Sequence, residues 1–319
     1  MRRLIALTAL VALSLTGTAA AVLTPGRTVT NAAPVTALSV TYRSVVYAVG
    51  RTPRNCGSVR LWDTATKGLW TFGERTILGC EEGPSGGFGI SSVATSGRRA
   101  FWLTHIGGNF TDWQVWTATP TQRTPRRLAF GSSDTDGPPA VVLGTGTRDG
   151  VPYAVGATVT YVGENGARLF RTSLGSPVRL LAAGTGPGQA RATAALADGR
   201  IVVLSRTGQV LRTEQHEPGV VRAVALALPG MVVQAGREVT IGAASVILPA
   251  GAEMLDYRQG TIVYRQGAQV RARRVASGTD TLLQVIARRP WEPMLFSTDS
   301  WGSGWARDRV VSWRSGPLA

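Results

Sequence analysis

This 319-residue sequence has few of the side chains on which metal centres and activated nucleophiles depend. It contains two histidines, two cysteines and 19 acidic residues. His105 and His216 are far apart in the chain, so a zinc or copper site built from histidine and cysteine finds too few ligands. Lysine is nearly absent too, because Lys67 is the only one and the other 33 basic residues are arginines. These shortages argue against a histidine- or cysteine-centred metalloenzyme.

Long apolar runs and amphipathic helical patterns are missing beyond the N terminus, and the N terminus itself has a distinct composition. Arg2 and Arg3 precede an apolar stretch over residues 4–15, and small residues follow at 18–21. This arrangement is typical of a bacterial secretory signal, which we expect to be cleaved after Ala21. An uncleaved anchor over residues 4–23 is the alternative. We therefore predict a signal peptide at 1–21, one mature domain at 22–319, no membrane span in that domain, and a secreted or cell-wall-associated location.

The chain is strongly basic, with a formal net charge of +15 that falls to +13 when Arg2 and Arg3 leave with the signal. Such a charge attracts anionic polymers and surfaces, although arginines spread over a solvated shell would give the same total. No dense basic run or nucleic-acid motif is present, so we expect no nucleic-acid partner. The predicted partner is an extracellular polymer or protein, and the chain is expected to be a monomer.

The two cysteines, Cys56 and Cys80, are the natural pair for a disulfide in an exported protein. The bond would close a loop of about 25 residues and stabilise the fold by ~3–4 kcal/mol in the chain-entropy account. Free redox-active thiols are the alternative, but the C-x-x-C spacing is missing.

A repeated pattern of an apolar strand, a turn and an alternating strand organises the rest of the chain. The apolar strands are expected at 43–50, 98–105, 150–157, 198–205, 228–235, 258–265 and 293–300. Their partners are expected at 58–63, 112–117, 166–172, 208–213, 237–242, 268–273 and 308–313. The partners recur with a mean spacing of about 42 residues, the length of a four-stranded propeller blade. The sequence thus predicts an all-β fold: a single β-propeller of seven four-stranded blades, with six blades, a barrel or a β-sandwich as alternatives.

Weaker apolar runs between these hairpins are candidates for the innermost strands. They lie at 91–96, 140–146, 192–198 and 221–227. Too few residues follow 308–313 to complete the last blade. We therefore predict that residues 23–36 supply its missing strand and close the ring.

The stretch VVYAVGRTPRNCGSVRLWDTATKGLW, residues 45–70, resembles a blade of the kelch and WD-repeat propellers. Trp62-Asp63 mirrors the Trp-Asp pair of a WD blade, and Gly50 and Trp70 correspond to kelch positions. Gly50 lacks the second glycine of a kelch blade, and the Gly-His pair of a WD blade is missing. The resemblance implies the architecture, and it covers only about thirty residues.

Three short motifs suggest chemistry. Residues 83–87 have the letters of a nucleophile elbow around Ser85, but the flanking strand and helix are missing, which favours a loop. Residues 132–137, SSDTDG, partly resemble a calcium loop, so calcium is the one cofactor considered and otherwise none is expected. Residues 297–305, STDSWGSGW, are similar to the Asp-box of sialidases, in which the box is a structural turn.

The tryptophans are unevenly distributed. Five lie before residue 117 and four after residue 290, so a closed ring would gather all nine in one sector. They would either pack between blades or line one rim as ligand contacts. The candidate ligand-binding residues are those expected in loops, with nearby arginines: Trp113, Trp301, Trp305, Arg307 and Arg309.

Taken together, these features favour a non-catalytic binding module for a polysaccharide, an anionic polymer or a protein, with no assigned catalytic or metal residue. A carbohydrate-active or lactone-hydrolysing enzyme on the same scaffold is the alternative. Carboxylates or an ion at the central channel would favour the enzyme, whereas a rim patch would favour the binding module.

Overall fold

A computed structural model describes residues 23, 25–50, 57–73, 89–107, 110–134, 140–186, 189–228, 230–285 and 295–316. These residues form 28 strands in seven four-stranded antiparallel sheets, which are the blades of a β-propeller. The predicted seven-bladed fold is confirmed.

The strands follow the chain from blade to blade. Strand β1 (Arg27–Thr30) is set apart from the others and belongs to blade 7. Blade 1 contains β2 (Val35–Thr41), β3 (Ser44–Val49), β4 (Ser58–Asp63) and β5 (Leu69–Phe72). Blade 2 contains β6 (Gly89–Ser96), β7 (Arg99–Gly107), β8 (Phe110–Ala118) and β9 (Arg126–Asp134). Blade 3 contains β10 (Val141–Leu143), β11 (Gly150–Val155), β12 (Thr158–Gly163) and β13 (Arg168–Ser173).

The second half of the ring has the same plan. Blade 4 contains β14 (Val178–Ala183), β15 (Ala190–Leu196), β16 (Arg200–Ser205) and β17 (Val210–Gln215). Blade 5 contains β18 (Val221–Ala227), β19 (Gly230–Ala235), β20 (Glu238–Ile241) and β21 (Ala244–Ile247). Blade 6 contains β22 (Ala252–Arg258), β23 (Thr261–Gln266), β24 (Gln269–Arg274) and β25 (Asp280–Val285). Blade 7 contains β26 (Leu295–Thr298), β27 (Gly302–Arg307) and β28 (Val310–Ser315), and β1 completes it.

The N-terminal strand closes the ring, as predicted. Strand β1 pairs antiparallel with β28, with Arg27 opposite Trp313 and Thr30 opposite Val310. Leu23 adds an attachment to blade 6, because it is buried and its backbone N–H donates to the carbonyl of Leu283 in β25 at 2.9 Å. The first and last segments of the described chain are therefore held in one sheet.

The hydrophobic core is divided among the interfaces between blades. Seven buried apolar clusters are found, and each joins one blade to its neighbour. Strand β3 shows why the middle strands are continuously apolar. Val45, Tyr47 and Val49 pack toward blade 7, whereas Val46 and Ala48 pack toward blade 2. Both faces of such a strand are buried, so the alternation expected of a half-exposed strand disappears.

Three details of the predicted strand order are wrong. Residues 192–198 fall on β15, the second strand of blade 4, because β14 occupies the innermost place. In blade 3 the strand at 166–172 pairs with β12 and not with 150–157. In blade 7 strand β27 lies between the two predicted partners. Strands β12 and β27 follow their neighbours through tight turns, so the repeated apolar pattern pairs strands that are separated by one strand in the sheet.

The innermost strands of successive blades run in the same direction, as the parallel bridges between Thr145 and Ala182 and between Gly184 and Leu226 show. The turns that connect the first and second strands of each blade therefore lie on one face of the ring. Among the described residues no helix is long and apolar enough to cross a membrane.

Candidate functional site

The predicted site residues do not form one site. Trp113 lies in β8 and Trp305 in β27, and both are buried, with 5% and 6% of their surface exposed. Only Trp301 lies in a turn, and it is 45% exposed. Arg307 and Arg309 are exposed, but they lie at the opposite end of β27 from Trp301. Trp301 is therefore the one tryptophan of the three that presents its ring to solvent.

The tryptophan sector itself is present. The eight tryptophans that the structure describes all lie in blades 1, 2 and 7 or in their turns. The ninth, Trp291, lies outside the described residues, as do Cys56, Cys80, Ser85 and residues 135–137 of the calcium-like motif.

Asp299 organises the turn that carries Trp301. One carboxylate oxygen accepts hydrogen bonds from the backbone N–H groups of Trp301, at 2.8 Å, and Gly302, at 2.9 Å. The other accepts from the backbone N–H of Tyr42 in blade 1. The stretch that resembles an Asp-box is thus a structural turn, and the same aspartate ties blade 7 to blade 1.

The turn between β2 and β3 has two residues with backbone conformations that are unfavourable for their side chains. Tyr42 and Arg43 both have positive φ, 55° and 80°, the values of a type I′ hairpin turn. Glycine or asparagine normally occupies such positions, since other side chains clash there. In the corresponding turns, blade 2 has Gly97 at a φ of 54°, and blade 6 has Gln259 and Gly260 at 46° and 79°. Blade 1 thus has larger side chains at both positive-φ positions of its turn, and backbone outliers of this kind cluster at functional sites.

These two turns meet and form a cluster with an arginine from blade 3. The rings of Tyr42 and Trp301 are in edge-to-face contact, with centroids 5.0 Å apart. The Arg43 guanidinium lies 5.4 Å from the Trp301 ring centroid, and that of Arg148 lies 4.9 Å from the Tyr42 ring centroid. We call Tyr42, Arg43, Arg148 and Trp301 the arginine–aromatic cluster.

The Arg148 loop is held by contacts with blade 2 and blade 1. The Ser96 hydroxyl donates to the Arg148 carbonyl at 2.9 Å, and the Thr41 hydroxyl contacts the Gly146 carbonyl at 3.3 Å. Gly146 allows this approach, because a Cβ there would lie 1.9 Å from the carbonyl oxygen of Thr95. The cluster is thus assembled from blades 1, 3 and 7 on a supported backbone.

The two guanidiniums of the cluster have no ion-pair partner among the described residues. Arg43 and Arg148 are exposed, and neither forms an ion pair with a described carboxylate. Nearby, Arg98 stacks 5.1 Å from the Trp70 ring centroid, but it is paired with Asp63 at 3.6 Å. A guanidinium beside an aromatic face and without a counter-charge is suited to bind an anionic group.

A cleft of about 580 Å3 borders the cluster between blades 6 and 7. Arg258, Arg274, Asp299 and Ser300 are among its lining residues. Burial raises the pKa of the Asp256 carboxyl next to it, while Arg258, whose Nε donates to Asp256 at 2.9 Å, opposes that rise. No set of three or more histidine, cysteine or acidic side chains among the described residues is arranged to hold a metal ion.

Sequence reasoning missed Tyr42, Arg43 and Arg148. A hairpin turn without glycine, TYRS, was the available signal for the first two. Arg148 had none, because its position depends on a contact between blades 1 and 3 that skips the blade between them.

Neither a protein-family profile nor a curated protein sequence matches this chain. Solved structures do match it. Raptor from Chaetomium thermophilum has a TM-score of 0.54 at 13% identity, over 92% of this chain and 28% of that one. The β-propeller domain of Cps50 (Swd1) from Myceliophteria thermophila has a TM-score of 0.51 at 14% identity, over 92% and 99%. The WD40 domain of Pan2 from Neurospora crassa has a TM-score of 0.51 at 11% identity, over 90% of both chains. At such identities the likeness concerns the fold: this chain is a seven-bladed β-propeller of the architecture seen in WD-repeat proteins.

Proposed function

We propose that this chain is an exported interaction module, and that its arginine–aromatic cluster binds an acidic segment of an extracellular protein partner. The observation that best supports this proposal is the environment of Trp301. Its side chain is 45% exposed and its ring is in edge contact with Tyr42. Two guanidiniums lie beside these rings, and neither has a carboxylate partner among the described residues. Tryptophan, tyrosine and arginine are the residue types that dominate binding energy at protein interfaces.

The backbone at the cluster supports the same proposal. Positive φ at two successive non-glycine residues costs conformational energy, and the turn would be more stable with asparagine and glycine. The tyrosine and arginine side chains therefore occupy these positions at a conformational cost, and contact with a partner is the use that we propose for them.

The innermost strands favour binding over catalysis. Among the described residues these strands carry two carboxylates, Glu253 and Asp256, and each is paired with an arginine of blade 6. A glycosidase would need two carboxylates facing a common substrate space.

The test is binding of a fluorescent poly-L-glutamate to the mature protein, followed by anisotropy. Trp301→Ala and Arg148→Ala should each weaken binding about tenfold or more, because each removes a side chain central to the contact. Raising the salt concentration should also weaken binding, because the paired charges are exposed. Polygalacturonate serves as a second anionic probe, and preferential binding to it would assign a polysaccharide ligand instead.

Arg43→Gly provides a matched control for folding. Glycine suits the positive φ of residue 43, so this variant should melt at or above the wild-type temperature while it binds poly-L-glutamate more weakly. If Arg43→Gly, Arg148→Ala and Trp301→Ala all bind as tightly as wild type, the cluster is not the binding surface and the proposal is wrong.

A further inference from the structure

Four buried hydrogen-bond donors without acceptors lie at the interface between blades 7 and 1. They are Nη1 of Arg27, the Tyr47 hydroxyl, Nε of Arg60 and Nε1 of Trp313, none of which makes a hydrogen bond of acceptable geometry to the residues that the structure describes. More than nine-tenths of buried polar groups in proteins have a partner, so four orphans in one interface need an explanation. We call these four residues the donor cluster.

Strand register shows that the donor cluster converges on one interface. Tyr47 and Trp313 belong to the same buried cluster between blades 7 and 1. Arg27 is opposite Trp313 in the sheet of blade 7, and it lies two residues from Val29, which packs on that cluster. Because side chains two residues apart point the same way, Arg27 faces blade 1.

The same reasoning places Arg60 on the facing side of blade 1. It is opposite Tyr47 in the sheet and two residues from Trp62, which packs toward blade 7. The Arg60 guanidinium and the Asn31 amide lie within hydrogen-bonding reach of the Tyr47 hydroxyl, although neither makes a bond of good geometry to it, and both lower its pKa against the stronger effect of burial.

Hydrogen-bond donors dominate the site. Burial raises the Tyr47 pKa to about 12, so its hydroxyl keeps its proton at neutral pH. Asn31 is already engaged on both sides of its amide, because its Oδ1 accepts from Arg60 Nη1 at 2.9 Å and its Nδ2 donates to the Arg309 carbonyl at 2.9 Å. No described carboxylate is paired with Arg27 or Arg60. Water offers donors as well as acceptors, whereas an oxyanion offers acceptors and neutralises the charge.

We propose that the donor cluster binds a small oxyanion of the phosphate or carboxylate type between the first and last blades. Arg27 and Arg60 are half-buried, so the site lies just beneath the surface. The anion would fasten the two ends of the ring with charge-assisted hydrogen bonds. This site is separate from the arginine–aromatic cluster and does not depend on its function.

The test compares melting temperatures in sodium phosphate, sodium acetate and sodium chloride at one pH and one ionic strength, with phosphate affinity measured by calorimetry. Phosphate or acetate should raise the wild-type melting temperature by about 2 °C or more relative to chloride, because a ligand that binds only the folded state stabilises it. Whichever of the two raises it more identifies the preferred anion. Arg60→Met should abolish the rise, whereas Arg222→Met, which removes an exposed arginine from blade 5, should keep it.

Tyr47→Phe covers the case in which Arg60→Met does not fold. If the hydroxyl binds an anion, this variant should match or exceed the wild-type stability in chloride and lose several-fold in phosphate affinity. Equal melting shifts in the wild type, Arg60→Met and Arg222→Met would overturn the proposal. The absence of any wild-type shift with both anions would also overturn it.

Discussion

Gln234 is a single side chain that connects two blades. It is completely buried in β19 of blade 5, and its Nε2 donates to the Ala252 carbonyl of blade 6 at 2.9 Å. Its Oε1 accepts from the backbone N–H of Met254 at 2.6 Å. The Gln234 amide therefore provides hydrogen-bond partners for two backbone groups of β22, the innermost strand of blade 6.

Gln234→Leu should destabilise the protein by about 2–3 kcal/mol, because it leaves a buried N–H and a buried carbonyl without partners. Urea unfolding followed by tryptophan fluorescence measures the loss. Gln122→Leu, at an exposed position of the β8–β9 turn, is the matched control and should change stability little. Equal effects of the two substitutions would show that the bridge contributes nothing.

His105 gives the protein a pH dependence with a defined sign. Burial lowers the His105 pKa below its usual value, so the unfolded chain takes up the proton at a higher pH than the folded chain does. Stability is therefore fully present above about pH 6.5 and decreases as the pH falls toward the lowered pKa. Melting temperatures between pH 8 and pH 5 should show this decline, and His105→Gln should reduce its slope. An unchanged slope in that variant would assign the decline to other groups.

At the scale of the element, strand β1 is the clearest test of ring closure. Deletion of residues 1–30 removes the partner of β28 and exposes the edge that runs from Val310 to Trp313. We expect a melting temperature lower by about 5 °C or more and a tendency to oligomerise, since unpaired edges recruit other strands. Deletion of residues 1–21 keeps Leu23 and β1 and should behave as the mature protein. Chromatography with light scattering distinguishes the two, and identical behaviour would show that closure by β1 is dispensable.

The elements also show how far sequence reasoning extends. Middle strands such as β3 and β19 were predictable, because burial on both faces gives an uninterrupted apolar run. Strand β27 was missed, because GSGWAR has three small or polar residues before its tryptophan and lacks that run. Its small residues are needed for packing: a Cβ on Gly304 would lie 2.6 Å from the Val40 side chain of blade 1. Trp301 was predicted as a ligand-contact residue. Its neighbours in the cluster could not be predicted from the sequence, because they come from turns more than a hundred residues away in the chain.

At the scale of the whole molecule, export and the disulfide remain predictions that one measurement addresses. The protein secreted by its host should have a mass that begins at Val22, and it should be two mass units lighter than its reduced form, owing to a Cys56–Cys80 bond. Reduction should then lower the melting temperature, because the unfolded chain gains conformational freedom. An intact Met1 would favour the anchor, and alkylation of both thiols without a reductant would exclude the disulfide.

The route of the chain around the ring has a consequence for binding. Tyr42, Arg148 and Trp301 come from the beginning, middle and end of the described chain, and they meet only after the last blade has docked on the first. No proteolytic fragment or partly folded intermediate can display this surface. The partner that we propose for this surface would therefore bind only molecules whose ring is closed.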